Sequence, residues 1–169
     1  CGGIAAYKCC ELVRLAAKAG FDVHCVLTEA GSKFVTPLTL QTLSGNVVHT
    51  DMFDLMQEKK VNHISLAKGS DMLLVAPATA DIIAKVACGI CDDLLSTVIC
   101  ATPSPVVFAP SMNTDMWENK ITQLNVSKLR DLGYSFIEPA SGELACGDSG
   151  TGRLPEPAEI LEALKEIAR

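Results

Sequence analysis

The sequence predicts an α/β fold: one three-layer domain, residues 1–169, built on a doubly wound parallel sheet. Three observations carry it. The run 71–76 is apolar after Asp71 and the run 105–109 is apolar throughout, as strands buried on both faces are. Segments with the 3.6-residue apolar period of helices stand between the predicted strands, which implies parallel strands and right-handed crossovers. A chain of 169 residues with 49% hydrophobic and 20% charged residues can fill one core and is short for two.

Taken in order, residues 4–18 read as a helix, with apolar positions at 5, 9, 12, 13 and 16 and Gly20 as the stop. A strand over 21–27 ends at Thr28. Two short helical pieces follow, around Phe34 and over 38–43, halted by Gly45-Asn46. The polar stretch 51–62 leads to His63 and a helical turn. The strand 71–76 is ended by Pro77, and helices are expected over 80–87 and 93–101. After the strand 105–109 come a helix over 122–132 closed by Gly133, a strand over 134–137, a Gly-rich loop over 139–155 and a final amphipathic helix over 157–168. The chain opens on Cys1-Gly2-Gly3-Ile4, a strand-to-helix turn whose strand is missing, and reads as trimmed there. Restoring that strand gives about five, a Rossmann- or flavodoxin-like layout.

Composition narrows the function. A formal charge of −6 argues against nucleic acid, which calls for a basic footprint. No apolar run reaches the ~18–20 residues that span a bilayer, and no signal peptide is visible. Eight cysteines, at 1, 9, 10, 25, 88, 91, 100 and 146, lie mostly in apolar helix or strand patterns. They lack the spacing of a secreted disulfide framework, so a reducing cytoplasm is expected. Cys88-Gly89-Ile90-Cys91 has CxxC spacing without a second pair or a neighbouring His, and no metal site is expected.

Ligands of such folds bind beyond the carboxyl ends of the strands. Gly2-Gly3, Thr28, Ala78-Thr79 and Ser111-Met112-Asn113 all fall there, which predicts a single site. Two glycines entering a helix can present backbone N–H groups to an anion, though the loop is neither GxGxxG nor a Walker loop and is equally a tight turn. Of three histidines, His24 reads within a strand and His49 in a polar loop, which leaves His63 as the candidate acid/base; alone, a helix-entry His is more often structural or exposed. Asn113 alone is a helix cap. Cys146, in Ala145-Cys146-Gly147-Asp148, has no packing reason to be a thiol. Arg153 can pair with a substrate anion or with a surface carboxylate. Trp117 and Met116 read as packing residues.

Together these residues resemble a known family. Gly2-Gly3-Ile4-Ala5-Ala6-Tyr7-Lys8, His63, Pro77-Ala78-Thr79-Ala80-Asp81, Gly89-Ile90-Cys91-Asp92-Asp93-Leu94-Leu95, Ala109-Pro110-Ser111-Met112-Asn113-Thr114-Asp115-Met116-Trp117 and Ala145-Cys146-Gly147-Asp148 are similar to the homo-oligomeric flavin-containing cysteine decarboxylases. The likeness runs over essentially the whole chain. It is strongest to the members acting on 4′-phospho-N-pantothenoyl-cysteine in coenzyme A biosynthesis, which the Ala-Cys-Gly-Asp loop separates from the peptide-modifying members.

The resemblance implies FMN held by Gly2, Gly3, Ile4, Thr28, Glu29, Ala30, Thr79, Ala80, Asp81, Ile82 and Ser111. It implies His63 for proton handling, Asn113 for holding the substrate carboxylate, Cys146 for protonating an ene-thiolate, and Glu143, Leu144 and Ala145 in a flap over the substrate. The implied route oxidises CH₂–SH to a thioaldehyde, so that the thiocarbonyl accepts the electrons released with CO₂. A homotrimer with flavin sites between subunits, four trimers in a dodecamer, and a fused or separate phosphopantothenoylcysteine synthetase complete the expectation. A peptide C-terminal cysteine decarboxylase, a flavin prenyltransferase and a non-catalytic regulatory flavoprotein stay open as alternatives.

Overall fold

The computed structural model describes residues 1–53, 62–143, 147 and 149–167. Its elements run α1 (Ala6–Lys18), β1 (Cys25–Val26), a 3-10 turn (Gly31–Lys33), α2 (Pro37–Ser44), β2 (Val48–His49), α3 (Asn62–Gly69), β3 (Leu73–Ala78) and α4 (Ala80–Cys88). Then come α5 (Leu94–Ala101), β4 (Val106–Pro110), α6 (Thr114–Glu118), α7 (Lys120–Asp131), β5 (Ser135–Phe136), β6 (Ala140–Glu143), β7 (Ser149–Arg153) and α8 (Pro157–Ile167). The mixed α/β architecture expected from the sequence is present.

Local chemistry sets the helix ends. Thr36 caps α2 ahead of Pro37, and Thr79 caps α4 through its hydroxyl oxygen. Gly45 and Gly89 close those helices in the left-handed conformation that costs glycine least. Asp93 and Ser96 form a reciprocal capping box on α5, with Ser96 N–H donating to Asp93 Oδ1 at 2.7 Å.

All five residues of β4 are buried, and their alternation divides the core. Val106 and Phe108 face Ile82 and Ile83 of α4, Leu95 and Ile99 of α5, Trp117 of α6, and Val126 and Leu129 of α7. Val107 and Ala109 face Ala5 and Leu12 on the α1 side, and Ile160, Leu161 and Leu164 of α8. Helices therefore cover both faces of β3-β4-β5, all paired in parallel. Trp117 is a core residue.

The parallel strands form two pieces among the described residues, β1-β2 and β3-β4-β5. Three expectations are corrected. The strand before Pro77 continues through it; proline has no N–H for the ladder, and the register with β4 shifts between Val75 and Ala78. His49 is buried in β2 rather than set in a loop. The segment 139–155 is not simply a loop, because β6 and β7 pair as an antiparallel hairpin with Ser141 and Thr151 hydroxyls 2.9 Å apart.

The cysteines divide. Burial pushes the Cys9 thiol up to about 12 and the Cys25 thiol to about 11, whereas Cys88, Cys91 and Cys100 are exposed. Cys9 thus favours folding fully below its ordinary value near 9, and that contribution is lost as pH rises toward 12. We expect brief alkylation at pH ~8 to modify Cys88 and Cys100 and to reach Cys9 only on unfolding. Peptide mass mapping checks this; early modification of Cys9 contradicts the packing.

No described helix is long and apolar enough to cross a membrane, and no described cluster of three or more His, Cys, Asp or Glu side chains is placed to hold a metal.

Candidate active site

The strand-to-helix turns converge. Cys1-Gly2-Gly3 enters α1, whose first turn no side chain caps. A Cβ at Gly2 would lie 2.4 Å from Ala30 Cβ, so only glycine lets this turn approach the Thr28–Ala30 segment. Thr28 Oγ1 accepts the Gly31 N–H at 3.1 Å, and Thr79 Oγ1 accepts the Ile82 N–H at 3.4 Å. Each hydroxyl thereby fixes a turn and retains its own proton to donate. The Ser111 N–H bonds the Ala78 carbonyl at 3.0 Å, which ties the loop after β4 to the end of β3.

Between these turns lies a cavity of about 1270 Å³. Gly2, Gly3, Ile4, Thr28, Glu29, Ala30, Thr79, Ala80, Asp81, Ile82 and Ser111 all line it, as do Asn113, Glu143 and Arg153. That volume exceeds the ~300–1,000 Å³ of ordinary small-molecule sites, enough for a second ligand beside the first. The donor set fits FMN: two helix N-termini for a phosphate, threonine hydroxyls for polar oxygens, and apolar Ile4, Ile82 and Met116 for a ring.

Asn113 does what its sequence context suggested: it caps α6, with Oδ1 accepting the Asp115 N–H at 2.8 Å. It also faces the cavity. The wall beside it is the hairpin, pressed close. Met112 N–H donates to the Gly152 carbonyl at 2.9 Å, and Cβ atoms at Gly150 and Gly152 would lie 2.3 Å from Thr114 Oγ1 and 2.2 Å from Met112 O. The glycines of this segment serve close backbone approach as well as turning.

His63 stands apart. It is the second residue of α3, is not among the described residues lining the cavity, and its buried Nδ1 has no hydrogen-bond partner among the described residues. Leu144, Ala145 and Cys146 lie outside the described residues.

Sequence reasoning gave no site role to Lys8, Lys33 or Lys85 and read Met116 as packing, yet all four are on the cavity wall. Lys85 bridges Asp92 at 3.1 Å and Asp81 at 3.5 Å, and the Asp92 hydrogen bond raises its pKa. Lys8 and Arg153 both reach Glu156, whose carboxyl is held below its ordinary value, by Lys8 first. The anchor is therefore present above that value and is lost as pH falls through the depressed one.

Fold and site together define an α/β protein with one large cavity at its strand-to-helix turns, lined by groups suited to an anionic, ring-bearing ligand. The chain belongs to the flavoprotein family, whose model matches residues 1–169. It is 50% identical over 166 residues to the coenzyme A biosynthesis bifunctional protein CoaBC of Haemophilus influenzae, covering 98% of this chain and 42% of that protein. It is 45% identical to CoaBC of Bacillus subtilis, over 95% of this chain and 40% of that one. The chain thus spans about two fifths of the length of the curated relatives it matches. Among solved structures, a PPC decarboxylase variant complexed with pantothenoylaminoethenethiol is 32% identical, with a TM-score of 0.88 and coverage of 98% of this chain and 93% of that one. The FMN-dependent cysteine decarboxylase SpaF is 30% identical, with a TM-score of 0.82 and coverage of 100% and 94%.

Proposed function

We propose that this chain decarboxylates 4′-phospho-N-pantothenoyl-L-cysteine to 4′-phosphopantetheine and CO₂ in coenzyme A biosynthesis, with FMN as cofactor. One observation carries the reading: a single cavity joins the glycine-threonine cradle suited to FMN with Asn113, Glu143 and Arg153. The names of the relatives support the same reaction.

Gly2, Gly3, Thr28, Thr79 and Ser111 would hold the flavin. When bound, FMN would supply a two-electron acceptor for the CH₂–SH carbon, giving a thioaldehyde, and a hydride donor for the closing reduction. The protein's own groups do the rest. The Asn113 carboxamide donates to the substrate carboxylate and orients it for departure. His63 takes the thiol proton during oxidation. Loss of CO₂ leaves its electron pair on sulfur as an ene-thiolate, and Cys146 protonates the carbon that lost the carboxylate. Glu143, Leu144 and Ala145 close over the substrate and exclude water.

We assign His63 to a neighbouring protomer's site. Ile4, Tyr7 and Met116 line the cavity yet are 58%, 60% and 49% exposed, an apolar rim suited to a second copy. A homotrimer, with trimers gathering into a dodecamer, places each rim against a neighbour. The bifunctional name of the relatives supports a second activity beside this one; in this reading it is a phosphopantothenoylcysteine synthetase, fused to this chain or separate, and both work in the cytoplasm.

The test compares CO₂ release by FMN-loaded protein from phosphopantothenoylcysteine and from a peptide ending in cysteine. Release from the first alone is expected. Release from the peptide alone reassigns the protein to the peptide-modifying members, and release from neither removes the decarboxylase reading.

A further inference from the structure

The cavity holds four cations, and the protein matches them unequally. Lys85 has two carboxylates, Asp92 and Asp81. Lys8 and Arg153 share one: Lys8 Nζ and Arg153 Nη2 each donate to the same oxygen, Glu156 Oε1, at 2.8 Å. Among the described residues no second carboxylate bonds either cation, although Glu159 accepts the Glu156 N–H at 3.1 Å. The Lys8 side chain is only 12% exposed, while Glu156 is 54% exposed. An ammonium withdrawn from water and given half a share of a carboxylate is costly without a further anion.

Position adds to charge. Arg153 follows Gly152, whose carbonyl accepts the Met112 N–H, so its backbone adjoins the loop that carries Asn113, and both residues line the cavity. It also lies against β6, with Nη1 3.5 Å from where a Cβ of Gly142 would stand. Among the described residues each cation gives Glu156 one hydrogen bond. A guanidinium carries five donors and an ammonium three, so most of their capacity is unspent there. Lys33 belongs to a different wall, the turn after Thr28.

We propose that Lys8 and Arg153, held together by Glu156, form a phosphate-monoester subsite that receives the 4′-phosphate of the substrate. The inference rests on the decarboxylase reading for the substrate's identity. A phosphate monoester carries roughly −1.5 to −2 charges at pH 7 and three acceptor oxygens, which suits a guanidinium fork beside an ammonium. Glu156 is a positioning residue: it sets the spacing of the two cations and contacts no substrate. The subsite also gives a reason to prefer a phosphorylated cysteine conjugate to a peptide.

Calorimetry on the FMN-loaded protein, with pantothenate and pantothenate 4′-phosphate as probes, tests this. The parent is expected to prefer the phosphate ester roughly 10–100-fold, the worth of charged hydrogen bonds. Lys8→Gln and Arg153→Gln should each lose most of that preference, leaving the affinities for pantothenate and FMN unchanged. Arg153→Gln, at the more exposed position, keeps the test open if Lys8→Gln does not fold. A parent without the preference, or variants that keep it, overturns the proposal. So do equal losses for both probes, which mean a structural role, and a matching fall in FMN affinity, which means the flavin's phosphate sits there. A parent that shows the preference but releases no CO₂ from phosphopantothenoylcysteine sinks the reaction and keeps the subsite. Turnover by the parent with an undiminished preference in the variants does the reverse.

Discussion

His63→Asn is expected to bind FMN as the parent does and to turn over about 10²–10⁴-fold more slowly, the usual worth of a positioned acid/base. The physical ground is the place of the side chain. His63 lies in the first turn of α3, and its buried Nδ1 is not spent on any described partner. It lies off the cavity wall that would hold the flavin, so removing it should spare cofactor affinity. Asparagine keeps polarity and approximate size but cannot exchange a proton near neutral pH. Flavin fluorescence titration and CO₂ release, measured on one preparation, separate the two effects. Normal turnover removes His63 from the chemistry, and lost FMN binding makes it structural.

Gly152→Ala is expected to damage the site through the backbone. The added methyl would stand 2.2 Å from the Met112 carbonyl oxygen and 3.3 Å from its carbon, where no flexible side chain can give way. The Met112 N–H also bonds the Gly152 carbonyl, so the two backbones cannot part without losing that bond. The hairpin must lift, carrying Glu143, Arg153 and Leu154 away from the cavity. Overpacking of this kind costs about 1–3 kcal/mol. At about 2–4 °C per kcal/mol for a chain of this size, thermal melting should fall by several degrees. Substrate affinity should fall further than FMN affinity, because Gly2, Thr28 and Ser111 belong to other walls. An unchanged melting temperature with unchanged turnover would show that the hairpin does not wall the site.

Much of this was legible in the sequence because it rests on local rules. The continuous apolar runs before Pro77 and at 105–109 are strands, and the turns after them, with Gly2-Gly3 at the entry to α1, mark where a ligand can approach. All eleven cofactor positions expected from the resemblance line one cavity. The hairpin escaped because Ala-Ser-Gly-Glu and Ser-Gly-Thr-Gly-Arg carry no apolar alternation; their strands depend on docking against Met112 and Thr114. Lys8 escaped for a related reason. In α1 it reads as one more solvated lysine, and the glutamate that holds it is 148 residues away. Such pairings are tertiary facts that no periodicity encodes.

The account's central claim is that the imidazole of one copy and the carboxamide of another serve one ligand. Subunit complementation tests it most directly. Oligomers of His63→Asn and of Asn113→Ala, each inactive alone, are dissociated, mixed in equal amounts, reassembled with FMN and assayed for CO₂. If neighbouring protomers supply the two groups, roughly a quarter of the sites in the hybrids regain both, and activity returns to about that fraction of the parent's. Hybrids that assemble, bind FMN and stay as inactive as their parents contradict the claim.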